Sequence, residues 1–297
     1  MRLRRLVPWA LAALLAAAGW FWWGLPARSE VRALARKPPG VTAVMRQREA
    51  EAKAAGRTGR RTQSWVPIGR VSRHLVHAVL ASEDQKFFGH EGVDWDAVRE
   101  SVEANREAGR FARGGSTITQ QLAKNLFFST HKSLARKARE LVVSYWLERD
   151  LSKVRILELY LNVIEWGDGV YGCQAAALRY YGKPASALDA SEAAGLAAMI
   201  PNPRRINPRV SASRHARAQR RVLWLMAHAG YLSVKGLGSE PPPEPVEDEG
   251  PPPTEPEAPP AAAPVATPPA EAPPLPTDEP APLPEETPTP PPPATSR

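Results

Sequence analysis

Apolar residues recur along this chain in two different rhythms. From Leu6 to Leu25 they form one run, LVPWALAALLAAAGWFWWGL, with no charge in 20 positions, long enough as a helix to cross the ~30 Å hydrocarbon core of a bilayer. From about Trp65 to about Gly238 they return every three or four positions, the period of an amphipathic helix. Ser72 is placed to cap a helix carrying Leu75, Val76, Val79 and Leu80. Ser133 does the same for Leu134, Leu141, Val142 and Tyr145, and Ser152 for Ile156, Leu157, Tyr160 and Leu161. Asp189 with Glu192 makes a capping-box pattern before a small-residue helix ending near Ile200, after which Pro201, Pro203 and Pro208 forbid continuation. A last helix fits Ala212 to Ala229, closed by Gly230. No run alternates with the period of a strand, so the predicted class is mostly α.

The flanks of the apolar run give it a direction. Arg2, Arg4 and Arg5 precede it, which favours a cytoplasmic N-terminus for residues 1–5, and Trp20, Trp22 and Trp23 suit the far interface. The far end is bulky and aromatic and no good A-x-A site follows, so residues 6–25 read as an uncleaved transmembrane anchor and not as a signal peptide. Residues 26–64, rich in Arg and Ala and broken by Pro38, Pro39 and Gly40, read as a connecting segment with some helix, and residues 65–238 as the folded domain.

Composition separates the rest. Residues 239–297 hold 24 of the chain's 33 prolines, with 12 acids and a single base, Arg297. Such a segment cannot bury enough apolar surface to offset its ordering entropy and is expected to be disordered, partly polyproline II. The preceding residues 1–238 carry 38 bases against 19 acids, a net charge of +19. That excess points to an anionic partner, and by itself does not choose between nucleic acid, membrane surface and phosphorylated ligand. Cys173 is the only cysteine, which rules out an intramolecular disulfide and a cysteine-based zinc site. Its small neighbours make it a buried filler.

Three stretches could carry chemistry. In ASEDQKFFGHEGVDW, residues 81–95, Glu83 follows Val79 by four and so continues the apolar stripe. It is either the surface end of a helix or a partly desolvated carboxylate whose pKa is raised toward that of a useful general base, with Phe87 and Phe88 lining the same pocket. In SLARKAREL, Arg136 and Lys137 stand one turn before Glu140. They form either a solvated ion-pair cluster or an anion site in which Lys132, Arg136 and Lys137 meet a phosphate that Glu140 shares through a metal or a proton. The third stretch, GGSTITQQLAKN from Gly114, suggests a P-loop, but Lys124 comes nine residues after Gly115 instead of directly after it, so nucleotide binding is not expected. It reads as a helix start capped by Ser116 or Thr117 with Gln and Lys on its outer face, or as a phosphate and sugar site at a helix N-terminus. Asn125 to Phe128, NLFF, would add exposed apolar bulk suited to an amphiphilic ligand. His74 and His77 lack a third metal ligand, and His90 is better placed to orient the turn after Glu83.

Taken in order, SEDQKFFGHEGVDW, GGSTITQQLAKN, RKAREL, KVRILELYLNVIEWGDGVYG, YYGKPASAL and PNPRRINP closely resemble the monofunctional biosynthetic peptidoglycan glycosyltransferases, whose catalytic module also occurs in class A penicillin-binding proteins. The resemblance spans about residues 65–230. It implies a lysozyme-like glycosyltransferase domain, mostly α, behind a single N-terminal transmembrane helix, and no transpeptidase domain follows. The implied reaction is elongation of β-1,4 glycan strands from lipid II with release of undecaprenyl diphosphate. By motif, Glu83 is implied as the general base and Glu140 as the second essential acid, acting on the diphosphate directly or with a divalent cation, Mg or Mn. No organic cofactor is implied. Ser116, Thr117, Gln120, Gln121, Lys124, Asn125, Lys132, Arg136 and Lys137 are implied to hold phosphates and sugars.

The same resemblance places the protein as a single-pass component of the inner membrane with its catalytic domain on the periplasmic side. The implied partners are lipid II, the growing lipid-linked glycan and other cell-wall synthesis or division proteins, with no nucleic acid. Two rival readings remain at this stage: a peptidoglycan-cleaving enzyme on the same lysozyme-like lobe, and a non-catalytic membrane-anchored scaffold for anionic ligands.

Overall fold

The computed structural model describes residues 2–108 and 115–233; Gly114, the first residue of the GGSTITQQLAKN stretch, and the Pro/Glu-rich residues 239–297 lie outside the described residues. Helix α1 (Arg2–Trp23) is the apolar run. Among the described residues it is the one helix long and apolar enough to cross a membrane. Two short helices follow, α2 (Arg28–Ala33) and α3 (Ala43–Ala54), then a two-residue strand β1 (Thr62–Gln63).

The helical domain comes next. It consists of α4 (Arg73–Glu83), α5 (Trp95–Ala108), α6 (Ile118–Phe127), α7 (Leu134–Asp150), α8 (Lys153–Val163), α9 (Cys173–Tyr181), α10 (Ala190–Ala197) and α11 (Ala212–His228). The expected starts are realised chemically. The hydroxyls of Ser72, Thr117, Ser133 and Ser152 each accept a backbone N–H in the first turn of their helix, and Asp189 with Glu192 closes a full capping box. Each such cap supplies an acceptor for one of the N–H groups a helix start leaves unpaired, and is worth roughly 1 kcal/mol.

Helix α6 is the centre of this domain. It packs against α3, α7 and α8, and Ile118, Leu122, Ala123 and Leu126 are buried along it. On the far side, α4, α10 and α11 pack on one another. Leu75 and Val79 of α4, Leu147 of α7 and Ile156 and Leu159 of α8 are fully buried in one contiguous core. Each is worth roughly 1.5–3 kcal/mol of transfer free energy.

A small sheet was not expected from the sequence. Strand β3 (Val170–Tyr171) lies between β1, parallel to it, and β2 (Glu165–Gly167), antiparallel to it. Strands of two and three residues give no alternation to read. Gly172 after β3 has φ +81°, and a Cβ there would meet the Asn162 carbonyl oxygen at 2.8 Å, so the chain enters α9 in a conformation that glycine alone adopts without strain. Asn162, fully buried, exchanges hydrogen bonds of 2.8 Å with both the N–H and the C=O of Val66, standing in for a strand edge.

Residues between the anchor and Trp65 do more than connect. Gln47 of α3 donates to the Thr130 hydroxyl and accepts from the Thr130 N–H, both at 2.7 Å, and Arg48 pairs with Glu165 at 3.0 Å. Arg28 and Arg32 both reach Asp150 at the end of α7. Arg139 of α7 donates to the carbonyl oxygens of Trp20 at 2.8 Å and Phe21 at 3.0 Å, and its guanidinium lies 4.3 Å over the Trp20 ring. The Trp20 carbonyl also accepts from the Gly24 N–H at 3.3 Å, so Arg139 shares one of the last carbonyls of α1 with the helix and adds a donor to the next. A Cβ at Gly24 would meet that guanidinium, so a larger residue there would displace the Arg139 side chain from the end of α1.

Candidate active site

Glu83 ends α4 on the stripe begun by Leu75 and Val79, half-buried where those two are fully buried. The next residue, Asp84, fixes the turn. Its carboxylate accepts from the Ile118 N–H at 3.0 Å and meets His90 Nε2 at 3.0 Å, while His90 Nδ1 accepts from the Gly92 N–H at 3.1 Å. Nδ1 is therefore the acceptor nitrogen and Nε2 the donor. Thr117 adds a second tie, donating to the Gly92 carbonyl at 2.6 Å. Asp84, His90 and Thr117 thus join the end of α4 to the start of α6 and set where Glu83 faces α6.

On α6 the side chain opposite is Gln121. Its Nε2 donates to Glu83 Oε2 at 2.8 Å, and its Oε1 accepts from the Tyr160 hydroxyl of α8 at 2.9 Å. Burial pushes the Glu83 carboxyl up from its ordinary pKa, partly offset by the Gln121 hydrogen bond and the charge of Lys124. One turn along, Lys124 is pushed down by burial and held up in part by Glu140, with a smaller contribution from Glu83. Lys124 is therefore electrostatically linked to both acids.

The second acid belongs to α7. Glu140 is 2% exposed and paired with Arg136 and, at 3.6 Å, with Lys137. Lys137 also donates to Ser116 Oγ at 2.9 Å and Gln120 Oε1 at 3.0 Å, so it spans the gap between α7 and the N-terminus of α6. Burial pushes the Lys137 ammonium down, with Glu140 opposing. Ser116, Gln120, Gln121, Lys124, Arg136, Lys137, Glu83 and Glu140 are thus brought to one wall, basic at one end and carrying a lone, weakly paired carboxylate at the other.

Not every expected residue contributes in the expected way. The Thr117 hydroxyl is occupied by the helix cap and by Gly92. Asn125 is buried and donates back to the Gln121 carbonyl at 2.8 Å, which steadies α6 under the site. Lys132 is exposed in the loop ahead of α7. Gln120 does not lie on an outer face; it is 2% exposed. Nor is NLFF exposed bulk, since Leu126 and Phe128 are buried in the core and Phe127 is partly buried against it. Phe87 is fully buried beneath Lys153 Nζ, 4.5 Å from the ring centroid, while Phe88 is mostly exposed, so the two do not line one pocket. The sequence reading also missed Tyr160 as a polar participant. Its helical spacing marked it as core, and its hydroxyl has no local signature.

Around Glu140 the nearest charged side chains are cations, and among the described residues no group of three or more His, Cys, Asp or Glu side chains is arranged to hold a metal ion. No all-protein cage for a divalent ion is therefore formed among the described residues, and a Mg or Mn ion at Glu140 would need phosphate oxygens of the substrate beside that carboxylate.

Comparison with known proteins places this wall in context. A family model described as Transglycosylase matches residues 50–227, which contain every residue of the site. Several proteins called biosynthetic peptidoglycan transglycosylase are similar to this chain. The one from Azoarcus sp. is 49% identical over 191 residues, covering 63% of this chain and 82% of that protein. The one from Herminiimonas arsenicoxydans is 50% identical over 166 residues, 56% of this chain and 72% of that protein. The one from Bordetella pertussis is 52% identical over 174 residues, 57% and 72% of the two chains. With the domain matched from α3 to α11 at about half identity, the chain belongs to the transglycosylase family and is a peptidoglycan glycosyltransferase that polymerises glycan chains.

Proposed function

We propose that the donor and acceptor of this transfer are lipid-linked, the acceptor being lipid II and the donor the growing glycan on undecaprenyl diphosphate, and that Glu83 is the general base. The observation that carries the reading is that α6 ties both acids' surroundings together: Gln121 donates to Glu83 at 2.8 Å, and Lys137, paired with Glu140, reaches Ser116 and Gln120 at the start of the same helix. A base and an anion site on one wall suit a reaction in which a hydroxyl gains nucleophilicity as a diphosphate leaves.

In the step itself, the acceptor's 4-hydroxyl gives its proton to the Glu83 carboxylate and its oxygen bonds to the donor's anomeric carbon. The bond from that carbon to the diphosphate oxygen breaks, its electron pair leaves with the diphosphate, and the centre inverts to a β-1,4 link. Arg136, Lys137 and Lys124 meet the negative charge, which grows on the diphosphate oxygen as the bond breaks, so these fixed cations stabilise the transition state more than the ground state. Glu140 holds Arg136 and Lys137 in place. Ser116 and Gln120, already engaged with Lys137, offer neutral hydrogen bonds to sugar and phosphate oxygens. Because diphosphate is a good leaving group, no second carboxyl is needed as a proton donor across the bond, unlike glycoside hydrolysis. No step is routed through a metal.

The same reading makes α1 a single inner-membrane span with the helical domain on the periplasmic side, where lipid II presents its sugars. Contacts with other cell-wall synthesis or division proteins belong to this proposal as well. Supplying the purified full chain with lipid II, and separately with preformed glycan, tests it. Chain growth matched by undecaprenyl diphosphate release is expected. Soluble fragments without growth would favour the cleaving alternative.

A further inference from the structure

Tyr160 is a buried phenol that the mechanism above leaves unused. It is fully buried on α8, and among the described residues Gln121 is its hydrogen-bond partner. Gln121 in turn donates to Glu83 at 2.8 Å. Three side chains from three helices, α8, α6 and α4, therefore form one chain, Tyr160 to Gln121 to Glu83, with every donor pointing toward the carboxylate.

We propose that Tyr160 is a positioning residue for the transfer reaction, fixing which end of the Gln121 amide faces Glu83 and so keeping Glu83 in its proton-accepting form. The inference rests on the reading of Glu83 as the base. Its physical ground is the polarity of the chain. An amide presents NH2 at one end and C=O at the other. With NH2 toward Glu83, the carboxylate is satisfied and the amide oxygen receives the phenol proton. With the amide turned over, its oxygen faces Glu83 and is tolerated only if Glu83 carries a proton to donate. Its NH2 then donates to the phenol oxygen, and the phenol proton is left without an acceptor in the core. A buried donor without a partner is costly. The phenol thus ties the amide's orientation to the ionised state of Glu83.

Other groups act on the same carboxyl. Burial and the charge of Asp84 favour its protonated form, and Lys124 of α6 favours the ionised one. Asp84 is engaged with His90 and the Ile118 N–H. Tyr160 is the one contributor that works through amide orientation, so its effect is separable from theirs.

The test uses the full chain in detergent micelles with lipid II. In Tyr160→Phe the tie is removed and the acid limb of kcat/KM should move up by about half to one pH unit, the equivalent of a single neutral hydrogen bond. At a fixed pH on that limb, the rate should fall about three- to tenfold. Replacing Tyr160 alone by 3-fluorotyrosine keeps the shape and strengthens the donor, so the limb should move down. The Glu83 carboxyl band in infrared titration, assigned by its loss in Glu83→Gln, should move with the limb in both variants. If Tyr160→Phe lowers the rate equally at all pH values, and neither variant moves the limb or the band, Tyr160 is only a packing residue and the inference is overturned. The reading of Glu83 as base fails separately, by Glu83→Gln retaining polymerisation.

Discussion

Glu83 on α4 and Glu140 on α7 are carboxylates whose surroundings meet at α6, and those surroundings differ in kind. Glu83 meets one amide N–H and feels Lys124 only through space. Glu140 is clasped by Arg136 and Lys137 and sits deeper. A carboxylate that must take a proton during the reaction needs a free lone pair and a raised pKa, and neutral partners in a partly desolvated place supply both. A carboxylate that must set the direction of cations needs those cations in contact. The difference teaches how, on the proposed mechanism, one wall can divide two acids by the partners it gives them: one is left open to substrate, the other orients the cations.

Removing the charge of each acid should therefore break the site in two distinguishable ways. Glu83→Gln should lower the rate of glycosidic bond formation by about 10²–10⁴-fold, the range associated with general base catalysis, while lipid II affinity measured by equilibrium titration stays close to wild type. Glu140→Gln should lower rate and affinity together and should also lower thermal stability. It leaves Arg136 and Lys137 without their counter-ion, at a cost on the order of 2 kcal/mol once their partial exposure is discounted. Calorimetry with a binding titration on the same sample separates the two signatures. If both variants lost rate alone, the division of labour would be wrong.

Lys124, between the two, should show a smaller effect in both quantities. Lys124→Ala is expected to lower polymerisation and affinity by roughly tenfold, about 1.4 kcal/mol. Its lowered pKa also fixes a sign. As pH rises through that lowered value Lys124 loses its charge, so activity should fall on the alkaline side below the ordinary lysine value of about 10.4. Stability should move the other way in the same window, because there the unfolded chain binds the extra proton and folding gains as pH rises. Burial pushes Lys137 down as well, so the alkaline limb is assigned to Lys124 by Lys124→Arg, which should push that limb outward. The smallest effect is expected at the anchor. Arg139→Ala removes two hydrogen bonds to the end of α1, worth about 1 kcal/mol each. It should broaden the distance distribution between spin labels on α1 and α7 while polymerisation changes less than about threefold.

How far the sequence disclosed this wall follows from how local each signal is. Caps, helix periods and the apolar anchor are written within a few residues, and the caps at Ser72, Thr117, Ser133 and Ser152 are found where their hydroxyls precede the apolar stripe. The two acids were legible because each sits in a motif with its neighbours in sequence. Tyr160 is buried as its helical spacing predicts, but the exposure of Gln120 and Phe128 and the partner of the Tyr160 hydroxyl are set by other helices and have no local signal. Gln120 is covered where Lys137 of α7 crosses to it, and the Tyr160 hydroxyl acquires meaning only beside Gln121, 39 positions away. The three-stranded sheet was invisible for the same reason, since Thr62 and Val170 pair although far apart in the chain.

The central claim is that Glu83 is the group that takes the acceptor's proton, and the single-turnover rate at saturating lipid II, measured against pH in wild type and in Glu83→Gln, tests it most directly. The wild-type rate should rise through one ionisation lying above the ordinary glutamate value of about 4.3, and the residual rate of Glu83→Gln should be flat across the same range. A wild-type rate flat through that range, or the same limb persisting in Glu83→Gln, would contradict it.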